Sequence, residues 1–293
     1  MTWTPDVCIY HFPCHDGFMS SVIAWRKWPN IVLWPRNYGE PVPPIEATMG
    51  CNVLIADFSY PPDVLRSLKA KSIVVLDHHK TAEAQLAEFR VFKQEGADWL
   101  NSTGVVSALE NTSILAHFDM HRSGAAMTWD FCFPGEKMPR LIEFVQDRDL
   151  WTKEFPKTTA VYLLLESYGY DYDVWNDLLR DFDDGFENQL IHDALAIERY
   201  YRRQIEEMAK QAAMQLLAGR MVPVAYVPYA FVSDVCAEML RIYPEVDFAA
   251  AVVKSFGETT YSLRSEDRRM DVSEIAKKYG GGGHRNAAGF RMP

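Results

Sequence analysis

The stretch SIVVLDHHK, residues 72–80, carries four consecutive apolar residues, Ile73 to Leu76, straight into Asp77, His78 and His79. An apolar run without alternation is the pattern of a strand covered on both faces of a parallel sheet. Three more such runs precede it: VCIYHF (7–12), IVLWP (31–35) and NVLIADF (52–58). Helix-like segments lie between them, GFMSSVIAWRKW (17–28) and PPDVLRSLKA (61–70). This alternation predicts an α/β, doubly wound, mostly parallel sheet domain. Further helices are expected over 123–133 and 139–151.

Residues 191–217 contain no Gly or Pro, and their apolar residues recur near a helical period. We read them as a long helix that ends at Gly219 and joins the first domain to a smaller α/β C-terminal domain. Strands are expected there in MVPVAYV, DFAAAVVKSF and TTYSLRS, with a helix over 272–279. The domain organisation is therefore read as 1–185, a linker helix 186–218, and 219–293.

The chain has 293 residues, is 48% hydrophobic and carries a net charge of −10. That length allows two domains with cores of their own. The acidic balance argues against a broad duplex-binding face but not against a small anionic substrate. Five cysteines without a C-x-x-C pair fit a reducing, cytoplasmic compartment. No signal peptide or membrane span is expected. The triplets Asn101-Ser-Thr and Asn111-Thr-Ser accordingly carry little weight as glycosylation sites.

Ligands of an open parallel sheet bind beyond the carboxyl ends of its strands. His11, Cys14, His15 and Asp16 follow the first run, Asp57 ends the third, and Asp77, His78 and His79 end the fourth; VQDRDLW adds Asp147 and Asp149. Singly, each has an ordinary reading. Asp at a strand end is usually a cap or turn former, His a hydrogen-bonded structural residue, and DRD a solvated helix face. Jointly, so many carboxylates at one rim would repel unless cations lay between them. Asp with His suits Mn²⁺ or Mg²⁺.

In this order the residues resemble the DHH phosphoesterases. His11…Asp16, Asp57, Asp77-His78-His79 and Asp147 follow that family's four motifs. YSLRS (261–265) and DVSEIAKKYGGGGHRNAAGF (271–290) resemble its associated C-terminal substrate-binding domain. Both halves of the chain are covered, and nanoRNases and other oligonucleotide phosphodiesterases are the similar members. The resemblance implies two divalent cations, Mn²⁺ first with Mg²⁺ or Co²⁺ as alternatives, that activate water. Asp57 would bridge them. His11 would hold the first, and Asp16, His78 and Asp147 the second. Asp77 would orient His78, and His79 would face the scissile phosphate. In HFPCHDG, Cys14 stands where many members carry a carboxylate. That leaves open a weak first site, help from His15, a softer ion, or a cysteine that only packs. Asp147 and Asp149, two residues apart, cannot both face one ion from a helix.

Four consecutive glycines usually form a flexible linker, but here they lie between a helix and AAGF near the end of the sequence. From Ser262 to Pro293, seven Lys or Arg stand against four Asp or Glu, a net charge of +3 within an acidic chain. We read Arg268, Arg269, Lys277 and Lys278 as solvated surface. The resemblance places Arg264, Gly281, Gly282, Gly283 and His284 on the substrate, and the helical hinge implies a cleft that closes. Short RNA or DNA is the first expected substrate, with a linear or cyclic dinucleotide next and polyphosphate or pyrophosphate third. Phe12, Tyr60 and Tyr261 are candidate base-stacking residues. A homodimer is compatible with the chain. A non-catalytic nucleotide-binding relative is the reading from another functional class.

Overall fold

The structure, a computed structural model, describes residues 2–90, 104–109, 112–183, 187–255 and 257–292. Asn101-Ser-Thr, Asn111 and the expected 185/186 boundary lie outside those residues. The chain divides into two compact units, Met1–Ile197 and Glu198–Pro293.

The first unit alternates β1 Val7–His11, α1 His15–Lys27, β2 Val32–Arg36, α2 Ile45–Thr48, β3 Asn52–Ala56, α3 Pro62–Ser67, β4 Ser72–Asp77, α4 Lys80–Gln85, α5 Gly104–Ala108 and β5 Ile114–Phe118. Four helices follow: α6 Gly124–Cys132, α7 Arg140–Asp149, α8 Thr158–Tyr168 and α9 Tyr172–Asp183. All five strands are parallel, in the order β2-β1-β3-β4-β5. The side-chain period of two sends alternate residues to opposite faces. Cys8, Tyr10, Leu54, Val74 and Leu76 meet the core formed with α1, α6 and α7. Val7, Ile9, Val53, Ile55 and Val75 meet the one formed with Phe58, Leu65 and Leu68. The doubly wound sheet inferred from uninterrupted apolar runs is therefore present. The chain leaves β1 for β2 on one side and returns to β3 on the other. The crevice at the carboxyl ends of β1 and β3 is thus the topological switch point.

The long helix, α10 Glu187–Lys210, corrects the expected one. It stops seven residues before Leu217, and residues 213–217 form β6 Ala213–Leu217. β6 pairs with β7 Arg220–Tyr226 through a two-residue turn in which Ala218 and Gly219 have φ of 51° and 78°. Two positive φ values are the signature of a hairpin turn, so Gly219 turns a hairpin and does not end a helix. Then come α11 Val232–Ile242, β8 Ala249–Ser255, β9 Glu258–Arg264, α12 Val272–Lys278, β10 Gly282–His284 and β11 Ala287–Met292. The second sheet is mixed, in the order β10-β11-β9-β8-β7-β6. No helix among the described residues is long and apolar enough to cross a membrane. All five cysteines are unpaired.

Candidate metal centre

β1 delivers His11 to the switch point, and the turn after β3 delivers Asp57. Asp57 has φ of 55°, a left-handed conformation rare for residues with a side chain. Asp57 is 1% exposed. Its Oδ1 accepts from His78 Nε2 at 3.1 Å, and its Oδ2 lies 3.4 Å from His11 Nδ1. Neither His11 Nδ1 nor Asp57 Oδ2 makes a hydrogen bond, although both are buried. Buried polar atoms without partners are costly, and a cation is one partner that satisfies a nitrogen and a carboxylate oxygen together.

His78 Nε2 also lies 3.4 Å from Asp149 Oδ2 and 4.0 Å from Asp16 Oδ2. Three carboxylates therefore converge on one imidazole nitrogen. Three donor sets emerge among the described residues: His11 with Cys14 and Asp57, Asp16 with His78 and Asp149, and Asp57 with Asp77, His78 and His79. Within each set the ligand atoms lie within 4.8 Å of one another. The residues present fit divalent cations.

Asp16 is fully buried on the first turn of α1. Its carboxylate accepts from the backbone N–H groups of Gly124 at 2.5 Å and Ala125 at 3.0 Å. It thus sits on the positive end of α6. A Cβ on Gly124 would lie 2.4 Å from the Asp57 Cβ, so only glycine lets α6 approach both carboxylates. Sequence reading missed this contact, because 108 residues separate its partners.

Asp147 is not brought to the centre; Asp149 takes that place. The Asp147 carboxylate turns the other way, accepting from Thr152 Oγ1 at 2.6 Å, Glu154 N at 2.7 Å, Phe155 N at 3.4 Å and Thr158 Oγ1. It holds the loop between α7 and α8. The role expected for Asp77 shifts as well. Its Oδ1 accepts from His79 Nδ1 at 2.6 Å and from the backbone N–H groups of His78 and His79, while Ser59 donates to Oδ2. Asp77 therefore fixes the ring of His79 and only the backbone of His78.

The buried charges act strongly on one another. Burial first, then the charges of Asp57 and Asp149, push Asp16 well above the carboxylate range. Burial and Asp57 raise Asp149 to about 6. Burial opposes ionisation of Asp57, but the imidazoles of His11 and His78 beside it outweigh burial and hold the group at about 2. Burial disfavours the His78 cation, yet the Asp57 bond and the carboxylates around it raise it to about 9. A group raised on folding adds stability below its unfolded pKa and loses it as pH rises through the folded one. In chelator, melting temperature should therefore fall as pH rises through about 6 and again through about 9. Added Mn²⁺ should raise it by more as pH rises, because cations compete with the Asp149 proton up to about pH 6 and with the His78 proton up to about pH 9. Thermal melts across pH, with and without Mn²⁺, check this. A cation effect as large at pH 5 as at pH 8 would contradict it.

A cavity of about 490 Å³ opens from the centre, with His11, Cys14, Asp16 and Asp149 in its wall and Tyr162 and Tyr170 beyond. Of the expected stacking residues, Phe12 packs on Tyr170 at 4.8 Å, Tyr60 is buried, and Tyr261 stacks on Phe290.

In the second unit, His284 pairs with Ala287 and Ala287 with Arg264, so the three lie abreast on β10, β11 and β9. Directly opposed residues point to the same face. Arg264 Nη2 donates to Ser233 Oγ at 3.0 Å. The glycine run is ordered: a Cβ on Gly281 would lie 2.1 Å from the Gly289 oxygen, and one on Gly283 2.5 Å from Ala288 Cα. Arg268 and Lys277 pair with Glu266 and Glu274 at the surface. Arg269 is not solvated surface. Its side chain is 6% exposed and donates to the Val246 and Leu240 carbonyls.

No family model matches the chain. It is 28% identical over 97% of its length to uncharacterized protein R106 of Acanthamoeba polyphaga mimivirus, covering 67% of that protein. It is 27% identical over 74% of its length to oligoribonuclease NrnB of Bacillus subtilis, and spans about half, 52%, of that relative. Among solved structures, the pGpG-specific phosphodiesterase PggH of Vibrio cholerae shares the fold. Its TM-score is 0.53 at 14% identity, with 98% of this chain and 92% of that chain covered.

Proposed function

We propose that this chain is a phosphoesterase of the DHH type, a two-cation phosphodiesterase acting on short oligonucleotides or dinucleotides. The convergence of three carboxylates on His78 Nε2, beside the unpartnered His11 Nδ1 and Asp57 Oδ2, carries the reading. His11 and Asp57 would hold one ion, Asp16, His78 and Asp149 the other, with Asp57 shared. Bound there, divalent cations, Mn²⁺ foremost, would lower the pKa of a water and offset charge on the phosphate.

The chain's own groups do the rest. Asp77 keeps the proton on His79 Nδ1 and raises the ring's pKa, which leaves Nε2 for a phosphate oxygen. The cavity beside the centre is in the size range of small-ligand sites, and Tyr162 and Tyr170 suit a base. In the second unit, Arg264 and His284 would bind an anionic group from one face of its sheet.

The test is Mn²⁺-dependent hydrolysis of a dinucleotide, a five-nucleotide RNA, a cyclic dinucleotide and a polyphosphate, with His78→Ala as control. Cleavage of the dinucleotide or short RNA, lost in the control, is expected. Arg264→Ala should raise KM by about tenfold with a smaller change in kcat. Cleavage of polyphosphate alone would overturn the nucleotide assignment. Ligand capture without cleavage, with or without cations, would make the chain a binding module.

A further inference from the structure

We propose that the two halves of the centre are chemically unequal, Cys14 being a thiolate ligand that makes the His11 half a site for a borderline cation such as Zn²⁺, Co²⁺ or Fe²⁺. This deepens the two-cation reading above and rests on it.

The donor sets differ by one atom type. The Asp16, His78 and Asp149 half offers oxygen, nitrogen and oxygen. The other half offers the His11 nitrogen, the Cys14 sulfur and an Asp57 oxygen, all within 4.8 Å of one another. Two of those three residues already present buried atoms that make no hydrogen bond, His11 Nδ1 and Asp57 Oδ2, 3.4 Å from each other.

Cys14 occupies the N-cap position of α1 but makes no capping hydrogen bond. It is partly exposed in the cavity wall, unlike Cys8, Cys132 and Cys236, which are buried. Burial, and then the charges of Asp57 and Asp16, push the Cys14 thiol well above its ordinary value, so the thiolate forms only as the cation binds. Thiolate and imidazole favour borderline ions, whereas Mn²⁺ and Mg²⁺ favour oxygen. Three protein ligands of mixed type with a position left for water form the pattern of a catalytic zinc site. The thiol proton leaves to solvent when the ion binds.

The experiment is a Co²⁺ titration of the metal-stripped chain, followed by absorbance and by metal analysis. Two Co²⁺ per chain are expected, with a thiolate-to-cobalt charge-transfer band in the near ultraviolet. Cys14→Ser should remove the band. Cys14→Asp should remove it too and tighten Mn²⁺ binding by about tenfold. The ¹¹³Cd resonance of the Cd²⁺-loaded wild type gives the same reading without substitution, should either variant fail to fold. Two bound Co²⁺ with no band, or a band that survives in Cys14→Ser, overturns the proposal and leaves the two-cation reading standing. Fewer than two Co²⁺ bound overturns that reading as well.

Discussion

Asp57→Asn is expected to lower kcat/KM by about 10³-fold or more, with both cations lost and the fold kept. The carboxylate is ionised at neutral pH and faces both His11 and His78. An amide of the same shape removes the one negative charge common to the two halves. Asn is also among the few residues that tolerate a φ of 55°. The expected shift in melting temperature is therefore a few degrees at most. Assay, metal analysis and a thermal melt of one preparation decide it. Retention of more than a tenth of the activity would show that Asp57 does not unite the centre.

The second large effect separates two aspartates of one helix. Asp149→Asn should cost about a hundredfold in activity and weaken one cation, with little change in stability. Asp147→Ala should do the reverse. Its carboxylate is 3% exposed and accepts two hydroxyl and two backbone donors. Removing it strands those donors at about 3 kcal/mol. Burial disfavours the charged form, but those bonds outweigh it and hold Asp147 below the ordinary carboxylate range. Its contribution is thus present at neutral pH and lost as pH falls through that lowered pKa, so the variant should lose most of its disadvantage in acid. Urea melts at pH 7 and pH 3, beside metal affinity at pH 7, test the pair. Equal effects of both substitutions on metal affinity would refute the assignment.

How much was legible follows from how local each determinant is. His11, Asp57 and the Asp77-His78-His79 triplet end strands whose apolar runs announce themselves. Asp147 against Asp149 was not legible, because the decision rests on Thr152, Glu154, Phe155 and Thr158 folding back onto α7. Nor was the contact of Asp16 with the first turn of α6, made across 108 residues. β5, the five-residue run ILAHF, is as long as β1, β2 and β3, yet the sequence reading passed over it. The end of α10 was misjudged because MAKQAAMQLL is helix-prone as a sequence, while pairing across the Ala218-Gly219 turn draws its last residues into a sheet.

The backbone conformation of Asp57 also bears on how such a protein changes over generations. One base change in an aspartate codon gives asparagine or glycine, both at ease with positive φ. Two of the simplest substitutions at this position would therefore silence the chemistry while sparing the scaffold. A protein with this site would have a short path from catalyst to folded, inert relative, and the residue at position 57 is where that passage would be recorded.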